Sequence, residues 1–218
     1  MLSTFAKSLK IMPVILITGF SFSTQAKSIK ELTSSKSSEK VESEVAKVAS
    51  ISTSGLHVHA IGVGLGQTFL SGDFASNGED RITPDLYYNY SASHSFDFMA
   101  NFHWSSHKYK SRKTTISGLA LGIKAKLFNF DNFSPFLVGG LGFYSPKMTR
   151  EIEGEFKTSR SKLTFGYNLG AGADLDLNSR VKVGIIGMIH NPFDIKQDDQ
   201  PEVEGSYYKL QVTAYYKF

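Results

Sequence analysis

The chain has 218 residues, with 24 Lys and Arg against 20 Asp and Glu, and no cysteine. Without cysteine there is no disulfide framework and no thiolate metal site, and a charge balance this close to neutral gives no footprint for nucleic acid. No apolar run reaches the roughly 20 residues that a spanning helix needs, which excludes a helical membrane protein.

Residues 1–26 have the three parts of a secretory signal: Lys7 and Lys10 at the start, an apolar stretch over residues 11–20, and the small-residue close Thr24-Gln25-Ala26. Its removal leaves 22 basic against 20 acidic residues, a net +2. Residues 27–54 are dominated by Ser, Lys and Glu, with Ile29, Leu32, Val41, Val45, Val48 and Ile51 too sparse to build a core. They read as a polar, disordered leader on the periplasmic side.

From residue 55 to residue 218 the chain divides into eight segments of alternating hydrophobicity, the signature of half-exposed strands. The first, residues 56–70, sets Ile61, Val63, Leu65 and Phe69 against Ala60, Gly62, Gly64 and Gly66. The second, 82–92, sets Leu86, Tyr88 and Tyr90 against Asp85, Tyr87 and Asn89. The third, 95–105, is the most regular, with Phe96, Phe98, Ala100, Phe102 and Trp104 on one face and Asp97, Met99, Asn101 and His103 on the other. In the fourth, 114–128, Leu119, Leu121, Ile123 and Ala125 oppose Gly118, Ala120, Gly122, Lys124 and Lys126. The fifth, 135–144, is glycine-rich and its facing stays open. The sixth, 162–177, sets Phe165, Tyr167, Leu169 and Ala171 against Asn168, Gly170, Gly172, Asp174 and Asp176. The seventh, 180–193, sets Val181, Val183, Ile185 and Ile189 against Lys182, Gly184, Ile186, Met188 and His190.

The last segment ends on an aromatic. Tyr208, Leu210, Val212, Ala214, Tyr216 and Phe218 share one face, and Lys209, Gln211, Thr213, Tyr215 and Lys217 the other. This face resembles the C-terminal signal by which bacterial outer-membrane barrels reach their assembly machinery. Short connectors (93–94, 129–134, 178–179) alternate with longer charged ones (71–81, 106–113, 145–161, 194–205), matching short periplasmic turns and long outer loops. Residues 55–218 therefore resemble the small outer-membrane barrels of the OmpA transmembrane-domain, OmpX and OmpW type. The resemblance implies an all-β, eight-stranded antiparallel up-and-down transmembrane barrel in the bacterial outer membrane, with both termini periplasmic. It also implies lipid, lipopolysaccharide and the assembly machinery as partners. A monomer is expected, with no nucleic acid partner, cofactor or metal.

An interior of about eight strands is just filled by side chains, so the inward charges Asp85, Asp97, Lys124, Lys126, Asp174, Asp176, Lys182, Lys209 and Lys217 are expected to pair as a polar core. Catalysis lacks a constellation: His190 is followed by Asn191 and Pro192, and His103 and His107 have no assignable carboxylate partner in the sequence. His57 and His59 have the spacing of two metal ligands on one face, without a third. Lys108, Lys110, Arg112 and Lys113 form a basic stretch suited to the phosphates of lipopolysaccharide, while residues 194–205 are acidic. Glu153-Gly154 sits between alternating segments as the turn of a raised hairpin.

The expected function is a non-enzymatic barrel with a structural or surface-interaction role through its charged loops. An OmpW-like conduit for small hydrophobic molecules is the first alternative. A lipid A-modifying enzyme and a soluble lipocalin-like barrel with the strand faces inverted follow it.

Overall fold

The computed structural model describes residues 57–218 apart from 129 and 199. The signal and leader readings therefore lie outside the described residues. Eight long strands carry the fold: β1 (Val58–Leu70), β2 (Arg81–Ser91), β3 (Phe96–Tyr109), β4 (Arg112–Lys126), β5 (Phe133–Tyr144), β8 (Thr164–Asp176), β9 (Val181–Pro192) and β12 (Tyr207–Lys217). Each pairs antiparallel with the next, and β12 returns to β1 through a continuous ladder from Ala60–Lys217 to Leu70–Tyr207. The result is a closed ring of eight strands without a barrel edge, the up-and-down topology.

The alternation in the sequence is the alternation in space. Ile61, Val63, Leu65, Phe98, Phe102, Trp104, Leu121, Ile123, Leu169, Ile185 and Leu210 are exposed on the outer wall. Their neighbours Ala60, Met99, Asn101, Ala120, Lys124, Asn168, Ile186 and Gln211 are buried in the lumen. The open facing of residues 135–144 resolves with Phe136, Val138 and Tyr144 inside and Leu137 and Leu141 outside. Aliphatic and aromatic residues stand on both faces there, so hydrophobic alternation is erased.

Glycine permits one close approach on this strand. A Cβ on Gly140 would run into the β4 backbone at Leu121 and Gly122. Gly140→Ala is expected to destabilise the β4–β5 ladder by about 1–3 kcal/mol, the usual range for overpacking. Accelerated amide exchange confined to these two strands is the measurement that checks it.

The long connectors carry structure of their own. A four-residue helix, α1 (Asp73–Ser76), follows β1. The hairpin β6 (Lys147–Ile152) and β7 (Glu155–Arg160) continues from β5, turning at Glu153-Gly154 with φ of 53° and 81°. Two consecutive left-handed residues make the tight turn whose twist suits a hairpin. A smaller hairpin, β10 (Ile195–Gln197) and β11 (Gln200–Val203), precedes β12.

Residues 106–113 are not a loop, which corrects the reading of that stretch as a connector. β3 and β4 stay paired to Tyr109–Arg112, and only Lys110 and Ser111 turn the chain. Above the apolar wall both faces of these strands are polar, so the alternation that marks a strand disappears while the ladder continues.

Candidate functional site

Three regions carry the polar chemistry: the lumen, its capped mouth, and the sheet that rises above the long-connector end. In the lumen the inward charges meet in pairs between adjacent or next-but-one strands. Lys124 Nζ lies 2.5 Å from Asp174 Oδ2, and Lys182 Nζ reaches the same oxygen at 3.3 Å. Lys126 pairs with Asp97 at 2.8 Å, Lys209 with Asp85 at 2.6 Å, and Lys217 with Asp176 at 3.0 Å. Lys124 also sits 3.8 Å over the Phe136 ring, so its charge faces a carboxylate and an aromatic surface. Between the charges lies an apolar cluster of Ala60, Tyr87, Met99, Phe136, Val138, Ile186, Met188 and Tyr215.

His103, which lacked a carboxylate partner in the sequence, is linked to one through an amide. Lys209 holds Asp85; Asn101 Nδ2 donates to Asp85 Oδ2 at 3.1 Å; and Asn101 Oδ1 meets His103 Nδ1 at 2.9 Å. His103 Nε2 lies 2.6 Å from the Tyr207 hydroxyl. Because the amide oxygen can only accept, Nδ1 carries the proton and Tyr207 donates to Nε2. Both nitrogens are then committed to positioning, leaving no base directed at a substrate. His190 stacks on Tyr207 with ring centroids 4.8 Å apart and bonds the Tyr144 hydroxyl at 3.1 Å. His103 and His190 are both buried, far from the surface role that a rim histidine would have.

The long-connector mouth is closed by a second apolar cluster. Phe74 from α1 is fully buried among Leu70, Ile116, Tyr144, Met148, Ile195, Val203 and Tyr207. The Asp73 amide donates to the Glu204 carbonyl and the Glu204 amide to Asp73 Oδ2, so α1 is stapled to the connector that leads into β12. Gly72 makes the bend possible with a φ of 65°. Phe74→Ala is expected to release this cap locally: limited proteolysis in the connector between β1 and β2 accelerates while the barrel keeps its heat resistance.

At the short-connector end the lumen widens into a cup of about 300 Å³ lined by Lys126, Lys182, Lys217, Asp176 and Ser91 among others. His57 and His59 lie beside this end on the outer wall, where their Nδ1 atoms are each 2.7 Å from the hydroxyls of Tyr90 and Tyr88. Among the described residues no three His, Cys, Asp or Glu side chains converge on a metal position.

The four basic residues 108, 110, 112 and 113 do not act as one group. Lys108 and Lys113 are opposite one another on the outward face. Lys110 packs over the Tyr109 ring at 5.3 Å, and Arg112 reaches Glu151 at 3.4 Å and the Ser76 carbonyl at 3.5 Å. On the terminal strand Tyr208, Leu210, Val212 and Tyr216 are exposed on the outer wall in step with Phe218, with Ala214 between them. Phe218 exchanges backbone hydrogen bonds with His59 and stacks on its ring at 5.9 Å.

A family model described as an outer membrane protein beta-barrel domain matches residues 45–218. Among solved structures the chain is similar to neisserial surface protein A, with a TM-score of 0.58 and 12% identity over 73% of this chain and 97% of that one. It is similar to Ail, the attachment invasion locus protein of Yersinia pestis, with a TM-score of 0.51 and 13% identity over 75% and 99%. The outer membrane protein AlkL matches with a TM-score of 0.51 and 10% identity over 75% and 90%. At such identities the likeness is one of fold. No curated protein matches the sequence.

Proposed function

The chain belongs to the outer membrane protein beta-barrel domain family, and from that membership we propose a non-enzymatic outer-membrane barrel that acts through the surface at its long-connector end. The short connectors and both ends of the barrel chain then face the periplasm, and β6–β7 stands outside the cell. The observation that carries this reading is the contrast between the two polar regions. The lumen's charges are spent on internal pairing, with Tyr87, Tyr144, Tyr207, Phe136 and Lys124 fully buried within it and Phe74 over its outer mouth. The raised sheet keeps Lys108, Lys113, Lys147, Lys157 and Arg160 exposed. β7 pairs with β6 alone and is the last strand of the sheet; among the described residues its outer edge is bonded only near its end, where the Asp198 amide donates to the Arg160 carbonyl, and such open edges can accept another extended chain.

An OmpW-like conduit is the second reading, and one feature favours it. The β2–β3 ladder stops at Asp85–His103, next to Pro84, which has no N–H to donate. Above that point side chains join β3 to the start of β2 and to the connector before it, Arg81 to the Ser106 carbonyl and His107 to the Glu79 carbonyl. A lateral path for an apolar solute would open there.

Reconstitution of the full chain in planar bilayers separates the readings. The surface-acting barrel is expected to give no steady current and no uptake of small apolar solutes. A steady current or saturable uptake would establish the conduit instead. An altered lipid A mass in cells that express the protein, absent from cells without it, would make it an enzyme.

A further inference from the structure

Strand register places an unusual charge pattern on the outward face of the raised sheet. Lys108 on β3 is directly opposite Lys113 on β4, and Lys147 on β6 is directly opposite Arg160 on β7. β4 and β6 join these pairs through Lys113–Thr149 and Thr115–Lys147. Paired residues point to the same side of a sheet, and the buried Thr114, Met148 and Ser159 mark the opposite side. All four cations thus share the outward face, and all four are exposed. Among the described residues none of them has an ion-pair partner; the nearby Glu151 is taken by Arg112.

Like charges directly opposite in a sheet are destabilising, since their Cβ atoms stand only about 5 Å apart. Two such pairs side by side form a face that is completed by an anion. Its height identifies where that anion resides. Lys108 continues the row of Phe98, Phe102 and Trp104, with only Ser106 between it and Trp104, which is 63% exposed on the lipid side. Trp favours the boundary between hydrocarbon and headgroups, and four strand residues span about 13 Å. The wall therefore stands in the headgroup layer and looks along the membrane plane, not up into solvent. The hydroxyls of Thr115 and Thr149 lie between the cations, and Thr149 bonds Thr158 at 2.7 Å, adding polar groups for a phosphorylated sugar.

We propose that this face, Lys108, Lys113, Lys147 and Arg160, is a docking site for the phosphorylated headgroup of the outer-leaflet glycolipid, lipid A. The site rests on the orientation proposed above, with the long connectors outside. It replaces the contiguous basic stretch as the contact: Lys108 and Lys113 belong to it, Lys110 and Arg112 do not, and Lys147 and Arg160 come from 34 and 47 residues beyond Lys113 in the chain.

The single tryptophan of the chain, Trp104, lies beside the face and serves as the reporter. Full-length protein in neutral detergent is titrated with bis-phosphorylated lipid A and Trp104 emission is followed. The expected result is saturable binding that weakens at least about tenfold, as loss of charge-assisted contacts implies, for Lys108→Gln/Lys113→Gln and for Lys147→Gln/Arg160→Gln. Lys110→Gln leaves it unchanged. Dephosphorylated lipid A and phosphatidylglycerol bind weakly. Equal binding of the dephosphorylated lipid, equal binding of phosphatidylglycerol, or undiminished binding by both double variants would overturn the proposal. All variants alter exposed side chains, and retention of the heat-shifted gel band confirms that they are folded. Loss of this site with a barrel that remains non-conducting leaves the surface-acting reading standing; a conducting barrel with intact lipid A binding removes that reading and keeps the site.

Discussion

Asp174→Asn is expected to destabilise the folded barrel by about 3–5 kcal/mol, the range seen when one partner of a buried ion pair is removed. One carboxylate oxygen serves both Lys124, at 2.5 Å, and Lys182, at 3.3 Å, so its loss leaves two neighbouring ammonium groups without the counter-charge they share. Lys124 is fully buried and cannot reach water to compensate. The temperature at which the compact gel band converts to the extended one is the measure, and an unchanged conversion temperature sinks the idea. Lys124→Met in the same chain should recover part of the loss, because it withdraws one of the two stranded charges without opening a void. Asp176→Asn provides the contrast. Asp176 and Lys217 are 35% and 18% exposed, and a pair that water reaches contributes at most about 1 kcal/mol. A double Asp174→Asn/Asp176→Asn variant should therefore resemble Asp174→Asn alone.

Deletion of Phe218 is expected to reduce the amount of folded protein in the outer membrane several-fold while leaving detergent refolding of the purified chain nearly intact. Phe218 is 69% exposed on the outer wall and Tyr216 49%, so neither contributes much to packing within the barrel. We propose that their aromatic alternation is instead read by an assembly machinery before the strand is placed. The competing role is a latch at the β1–β12 seam, through the His59 ring and the backbone bonds between His59 and Phe218. The two roles separate cleanly: a latch would lower refolding in detergent as much as assembly in cells, and His59→Ala would reproduce it. Pulse labelling with heat-shift analysis measures the first, and urea refolding the second.

The barrel was legible because its outer wall and lumen have opposite chemistry in most strands, with aromatics or aliphatics set against glycine and charge. Legibility failed where that contrast failed. Phe136 and Val138 belong to an apolar patch inside the lumen, so β5 carries hydrophobic residues on both faces. Residues 106–113 and 147–160 rise beyond the hydrocarbon layer, where neither face needs to be apolar, and only the ladder defines them as strands. The lumen network was legible as a set of charges but not as pairs. Asp85 with Lys209 and Lys217 with Asp176 depend on stagger between strands, which hydrophobic periodicity does not encode. The outward basic wall was half visible for the same reason: Lys108 and Lys113 are near in sequence, whereas Lys147 and Arg160 join them through the β4–β6 register. The connector between β1 and β2 read as a charged loop, and the Phe74 cap within it had no periodic signal to reveal it.

The return of β12 to β1 makes strand order around the ring independent of where the chain is cut. Phe218 and His59 are already hydrogen-bonded neighbours, so a short linker could join the two ends of the barrel domain. New ends could then be opened in the four-residue turn between Asp176 and Val181, giving a circular permutant with every ladder retained. Such a chain would end on β8, whose final outward residues are Ala173 and Leu175, and would no longer finish in Tyr-Lys-Phe. Permutation thus separates two properties that the natural order ties together: the ring would remain intact as a structure while its aromatic closing strand became an internal one.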